Sequence, residues 1–183
     1  MGQRTTPTVV GERVTLRDFT ERDVALVASV VDDPLIPLIS TVPAQGDRSQ
    51  IFAYIERQRG RAISGAGYQF TVVDKATDEP VGQVGLTFRE PMLERASVGY
   101  WIAPDRRGAG FATAAIQVLV GWAFAHLPIQ RLELYVEPWN EGSWRAAEAA
   151  GFQREGLLRQ WEHVGSERKD MYMYALLREP GMR

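Results

Sequence analysis

The chain has no cysteine among its 183 residues. That excludes a disulfide framework, a thiolate metal site and a cysteine nucleophile. Histidine is scarce as well: His126 and His163 are the only two, and their spacing fits no metal-ligand pattern, so no metal is expected. An excess of one charge is missing too. The 21 basic and 23 acidic side chains are interspersed and sum to −2. No basic run offers a nucleic-acid face, so no nucleic-acid partner is expected. No apolar run approaches the roughly 20 residues that cross a membrane. The start, MGQRTTPTVVGERV, lacks the apolar centre of a secretory signal. The expectation is a cytoplasmic protein with no membrane partner.

What is present is ordinary for a globular chain, 45% apolar and 24% charged. One domain is expected over 1–183, with a core at about 13–178 and an N-terminal extension at 1–12. Arg13 to Phe19 alternates apolar and polar and reads as a strand. Thr20 then caps a helix over residues 21–31. PLIPLISTVPAQG reads as a loop with short helical turns. A helix over residues 47–63 follows, with Ile51, Tyr54 and Ile55 inward. GYQFTVVD and PVGQVGLTFRE form a hairpin, and ASVGYWIAP is a strand ended by Pro104. A helix from about Gly110 to His126, the strand RLELYV and the helix NEGSWRAAEAAG come next. FQREGLLRQWEHV and DMYMYALL close the chain as an antiparallel pair around GSERK. Strands beside helices in this order predict a mixed α/β or α+β layer fold.

The stretch IAPDRRGAGFATAAIQVLVGW bunches two arginines and two glycines before a helix with little polar face. A helix start leaves N–H groups unpaired, and a tight turn of such groups at the positive helix end suits an anion. Gly108 and Gly110 permit left-handed angles and close approach of a ligand to the main chain. Arg106 or Arg107 can add charge-assisted bonds. A P-loop needs Lys-Ser/Thr where Phe111-Ala112 stand, and the dinucleotide fingerprint needs Gly or Ala where Thr113 stands. The plain alternative is a helix entry in which both glycines only relieve crowding.

Arg107-Gly-Ala-Gly110-Phe-Ala112 resembles the Arg/Gln-x-x-Gly-x-Gly/Ala signature of the GNAT superfamily of acyl-CoA-dependent N-acyltransferases. It sits where that family carries it, between the fourth strand and the following helix. NEGSWRAAEAAGF resembles the family's Asn-x-x-Ser … Gly-Phe segment, with Asn140, Ser143, Gly151 and Phe152 on matching positions. GERVTLRDFTERD, VGYWIAPDRRGAGFATAA and GFQREGLLRQW look like the RimJ/RimL-type subgroup, which includes acetyltransferases of ribosomal-protein N-termini.

The resemblance implies a mostly antiparallel central sheet of about seven strands with helices on both faces. It implies acetyl-CoA as co-substrate and a primary amine as acceptor, on a protein N-terminus or a small molecule. Main-chain amides of Arg107, Gly108, Ala109, Gly110, Phe111 and Ala112 would hold the pyrophosphate. The strand end at Trp101 and Ile102 would pair with pantetheine, beside a neighbouring strand that splays away. A homodimer is expected by analogy.

Asn140 reads as a helix cap, which puts Ser143 in the first turn. A capping box would want Glu or Gln there. In the resembled subgroup the matching serine, here Ser143, contacts the thiol sulfur and serves as general acid, and the glutamate matched by Glu162 is the base candidate. Asn140 and Ser143 also count with the coenzyme contacts. Glu90 and Glu94 are fallback bases, while Glu155 reads as structural. Trp101, Trp139, Trp144, Trp161 and Tyr68 are either acceptor-pocket or core residues. The rival readings are a non-catalytic acyl-CoA-binding sensor, which needs neither Ser143 nor Glu162, and a nucleotide-binding domain of another class.

Overall fold

A computed structural model of the chain describes residues 5–90 and 94–179, with the side chain of Glu90 outside that description. Eight strands form one sheet in the order β1-β2-β3-β4-β5-β6-β8-β7. They are β1 (Val9–Val10), β2 (Val14–Arg17), β3 (Gly67–Asp74), β4 (Glu79–Glu90), β5 (Arg95–Ile102), β6 (Arg131–Val136), β7 (Gln153–Val164) and β8 (Glu167–Leu177). Every neighbouring pair is antiparallel except β5 and β6. The helices are α1 (Val24–Ala28), α2 (Ile36–Ile39), α3 (Arg48–Ser64), α4 (Phe111–His126) and α5 (Glu141–Ala149). None of the described helices is long and apolar enough to cross a membrane.

Three local differences from the sequence reading have physical causes. The expected seven strands become eight because Val9 and Val10, in the N-terminal extension, pair with Leu16 and Thr15. Two residues are too few to show a period. The helix expected over 21–31 shrinks to a 3₁₀ turn and the five residues of α1. There Asp23 is drawn inward: its carboxylate accepts from Arg17, the Thr20 N–H and the Thr71 hydroxyl. The final turn tightens to Gly165 and Ser166, with Gly165 at φ 62°, so β8 starts at Glu167.

Alternation along the strands sends apolar residues to both faces. On one face Leu16, Phe70, Leu86, Leu132 and Tyr174 pack with α4 and α5. On the other, Phe19, Trp101 and Ala103 pack with α1 and α3. Helix α4 buries Phe111, Ala115, Ile116, Leu119, Trp122 and Ala123. The Trp122 ring meets Tyr68 and Phe70 edge-on, at 4.9 and 5.3 Å between centroids. A helix held on so much of its circumference has a rigid first turn.

Strands β5 and β6 pair only over Arg95–Ser97 and Arg131–Glu133. Beyond that point they part. β5 continues to Ile102 on β4, and β6 continues to Val136 on β8. The sheet therefore contains an internal opening whose apex is the Ser97–Glu133 pair.

Gly82 on β4 is opposite Ile102 of β5, the strand that walls this opening, and a Cβ there would run into the Trp101 carbonyl oxygen. Gly82→Ala is expected to cost about 1–3 kcal/mol of stability, as overpacking does. Urea unfolding checks it; an unchanged midpoint would show that the β5 end yields freely.

Candidate active site

The connection from β5 to α4 is a 3₁₀ turn over Pro104–Arg106 followed by two left-handed glycines, Gly108 at φ 75° and Gly110 at φ 79°. No neighbouring atom stands within 4 Å of a Cβ built on Gly108. Among the described residues, none bonds to the N–H groups from Gly108 through Thr113. The first helical bond is Ala114 N–H to Gly110 O, 3.1 Å. Gly108, Ala109, Gly110, Phe111 and Ala112 thus present a run of unclaimed donors at a helix start. Arg107 differs from the expectation: its own N–H turns back to Pro104 O at 3.4 Å.

The two arginines of the motif are also committed elsewhere. Arg106 pairs with Glu79 at 2.6 Å. Arg107 donates through Nε to Ile102 O at 3.1 Å and through Nη2 to Asp33 Oδ2 at 2.8 Å. The cation that faces the turn is Arg13. Its guanidinium lies 4.8 Å from the Phe111 ring centroid, with Nη1 3.6 Å from the Cβ position of Gly110. Among the described residues no carboxylate pairs with it. Sequence reasoning passed over Arg13 because it starts a strand far from the glycines.

The ladder fixes which main-chain groups face the opening. Ala103 N–H donates to Val81 O at 2.9 Å. By antiparallel alternation, Trp101 and Gly99 bond to β4, while Val98, Tyr100 and Ile102 point their N–H and C=O towards the gap. Trp101, expected there, presents its backbone to β4 and buries its side chain among α1 and α3. Ile102 does face the gap, with its C=O held by Arg107.

On the α4–α5 face, Asn140 caps α5 as expected, its Oδ1 accepting from Ser143 N–H at 3.2 Å. The Ser143 Oγ lies 2.7 Å from the hydroxyl of Tyr100, which also reaches Ser143 O at 3.2 Å. Burial pushes the Tyr100 hydroxyl above its ordinary pKa, and the bond to Ser143 partly offsets this. Tyr100 was absent from the sequence reading. Only the tertiary crossing of β5 and α5 brings it to Ser143.

The carboxylates fall into two groups. Glu133, at the apex, is 1% exposed and accepts from Arg131 Nε at 2.7 Å, Arg95 Nη2 at 3.4 Å and the Tyr135 hydroxyl at 2.9 Å. Burial pushes its carboxyl up, but these donors prevail and its pKa is lowered. Glu155 is bound bidentately by Arg131. Glu162 is exposed on β7 opposite Lys169, next to an irregularity after Leu158, and no hydrogen bond joins it to Ser143 or Tyr100. Glu94 is exposed at φ 52°, before β5. Glu137, buried just past β6, accepts from Trp139 Nε1 at 2.8 Å. Trp161 stacks on Tyr135 at 5.8 Å, and Tyr68 lies in the core. His126 bonds to Trp122 O at 2.9 Å. Among the described residues no cluster of His, Asp or Glu could hold a metal.

Residues 13–153 match the family model described as "Acetyltransferase (GNAT) domain". The uncharacterized N-acetyltransferase p20 of Bacillus licheniformis is 32% identical over 93% of this chain and 96% of its own. Among solved structures, Mycobacterium smegmatis RimJ in complex with a CoA disulfide superposes with a TM-score of 0.79 at 25% identity, covering 93% of this chain and 87% of that one. RimL, a ribosomal L7/L12 alpha-N-protein acetyltransferase in complex with coenzyme A, reaches 0.81 at 21% identity over 93% and 98%. The chain belongs to the GNAT acetyltransferase family. It is an acetyl-CoA-dependent N-acetyltransferase of the RimJ/RimL-like kind. Its own geometry fits that co-substrate, since unclaimed N–H groups suit a diphosphate and a half-paired strand suits an amide chain.

The Arg107–Asp33 pair yields a prediction. The Asp33 side chain is 2% exposed. Burial raises its pKa, but the N–H groups of Ile36 and Leu35 and the Arg107 guanidinium together lower it overall. A depressed folded-state pKa stabilises the fold above the unfolded value of about 3.9 and loses that effect as pH falls through the folded value. The stability gap between wild type and Asp33→Asn should be constant above about pH 5 and narrow below about pH 4. Urea titrations across pH test this; a gap independent of pH would refute it.

Proposed function

We propose that this enzyme transfers an acetyl group to a primary amine by direct attack within a ternary complex, in a single domain. The observation that carries the reading is the opening between β5 and β6 beside the Gly108–Thr113 turn. The amine nitrogen adds to the thioester carbonyl carbon and forms the C–N bond. The C–S bond breaks with its electron pair on sulfur. The nitrogen gives up a proton to a base, and the sulfur gains one from an acid.

Each part of the chain has a place in that chemistry. The donors from Gly108 to Ala112 hold the diphosphate, with Arg13 adding charge. Tyr100 and Ile102 offer main-chain groups to the pantetheine arm. Ser143, half-buried at the first turn of α5, protonates the sulfur. Glu162 takes the amine proton, directly or through water. By strand register it shares a face with Met171, Met173 and Tyr135, the side opposite α4. Holding two substrates together supplies much of the acceleration.

The acceptor that asks least of such a site is a peptide α-amine. Its pKa near 7.7–8.0 leaves a sizeable free-base fraction at neutral pH, whereas a lysine amine near about 10.4 does not. The likeness to RimL, a ribosomal L7/L12 alpha-N-protein acetyltransferase, and to a ribosomal-protein-serine acetyltransferase of Escherichia coli supports a protein N-terminal amine.

A thiol-release assay with acetyl-CoA against N-terminal peptides and small amines tests the activity. Turnover should be higher with α-amines than with lysine side chains below about pH 8. Gly110→Val should weaken coenzyme binding by at least about tenfold, because a β-branched residue is strained at φ 79°. Ser143→Ala and Glu162→Gln should keep that affinity and lower kcat by about 10²-fold each. Unchanged coenzyme affinity in Gly110→Val, read by calorimetry, would misplace the cradle. Wild-type turnover in Glu162→Gln across pH would remove that residue as the base.

A further inference from the structure

We propose that Tyr100 is a positioning residue that acts through Ser143, aiming the serine proton at the departing sulfur and replacing it from its own hydroxyl. The proposal rests on the reading of Ser143 as the acid. Tyr100 belongs to the half of β5 that has left β6, and its side chain crosses to the first turn of α5.

A serine in a helix usually turns its hydroxyl back to a carbonyl three or four residues earlier. Ser143 does not. The Asn140 carbonyl already accepts from the N–H groups of Ser143 and Trp144, at 3.1 and 3.2 Å. The Oγ faces Tyr100 instead, 2.7 Å away. The tyrosine oxygen therefore has two neighbours, Ser143 Oγ and Ser143 O at 3.2 Å.

Two proton arrangements fit these distances. In the first, Tyr100 donates to Ser143 O and Ser143 donates to Tyr100, so both hydroxyl protons are occupied. In the second, Tyr100 donates to Ser143 Oγ over the shorter contact, and the serine proton is free. Passing from one to the other takes only two hydroxyl rotations. Negative charge developing on a nearby sulfur selects the second.

Acidity points the same way. A serine hydroxyl is a much weaker acid than a thiol, whose reference pKa is about 8.5, so a lone serine proton moves uphill to a thiolate. A tyrosine, whose reference pKa is about 10, is closer than a serine even with burial holding the Tyr100 hydroxyl above its ordinary value. In the relay the C–S pair stays on sulfur, the Oγ proton goes to sulfur and the Tyr100 proton goes to Oγ. Water reprotonates the phenolate after product leaves.

Tyr100→Phe removes the hydroxyl and keeps the ring. Expected are a kcat lower by about 10²-fold, as for loss of a general acid, with unchanged coenzyme affinity by calorimetry. The double variant Ser143→Ala/Tyr100→Phe should be no slower than Ser143→Ala alone, because both act on one proton path. In single-turnover experiments on the wild type, rates in mixed light and heavy water should curve as two protons in flight require, and become linear in Tyr100→Phe. If Ser143→Ala is slow and Tyr100→Phe is not, the relay is wrong and the proposed function stands. If Ser143→Ala is also as fast as wild type, the assignment of the acid fails with it. Multiplying effects in the double variant, a linear wild-type inventory, or loss of coenzyme affinity in Tyr100→Phe would each overturn the relay.

Discussion

Past Ser97 and Glu133 two adjacent strands stop exchanging hydrogen bonds, and the rest of the site is built around that separation. A strand end inside a sheet normally cannot leave its polar groups unpaired, since each such buried group costs about 1–3 kcal/mol. β5 meets that constraint on one side through β4. On the other, Ile102 O is taken by Arg107, and the remaining groups face a space where an amide-bearing chain can pair as a strand would. The parting is held at its origin by charge. Glu133, at the last paired position of β6, binds Arg95 on β5 and Arg131 on its own strand, which face each other at the first pair of the ladder. A buried carboxylate with two cations fixes where pairing ends, because losing either partner strands a charge.

The same economy of partners explains why neither arginine of the glycine motif reaches the anion turn. Arg107 fastens the β5 end to Asp33, whose other carboxylate oxygen accepts from the N–H groups of Leu35 and Ile36 at the start of α2. The donor-side turn and the short helix that borders the other face are thus joined by one carboxylate. Leu38 of α2 lies within 3.5 Å of the Cβ position of Gly165 in the β7–β8 turn, so α2 and the final hairpin meet as well. Main-chain donors and Arg13 are what remains uncommitted at the turn, while the signature arginine serves structure.

How much of this was legible follows from range. The glycine pair, the Asn140 cap, the strand RLELYV and the buried α4 are set by residues near one another, and the letters carried them. β1 was hidden by its length, and the late start of α1 by Asp23 bonding to Arg17 and Thr71 from other elements. Tyr100 and Arg13 were hidden for the same reason. A tyrosine in an alternating strand reads as core, and an arginine at a strand start reads as surface. Only the crossing of β5 over α5, and of β2 beside α4, gives them neighbours with chemistry. Trp101 was misplaced by a single position, since the parity of a ladder depends on a bond such as Ala103 to Val81 that no local pattern reveals.

Electrostatics narrows the choice of base more than proximity does. A carboxylate held by cations in the folded state has its charged form stabilised and is a poor proton acceptor at neutral pH. Glu133, Glu155 and Asp33 are all of that kind, each with a depressed pKa and an arginine in contact. They can orient, but they are poorly suited to take a proton from an amine. Glu162 and Glu137 carry no arginine bond, and Glu137 is tied by a neutral indole N–H alone. Of the two, Glu162 is the exposed one, on the hairpin that α2 touches. The acceptor class and the identity of the base are linked, because a lysine amine asks more of a base than a peptide α-amine does.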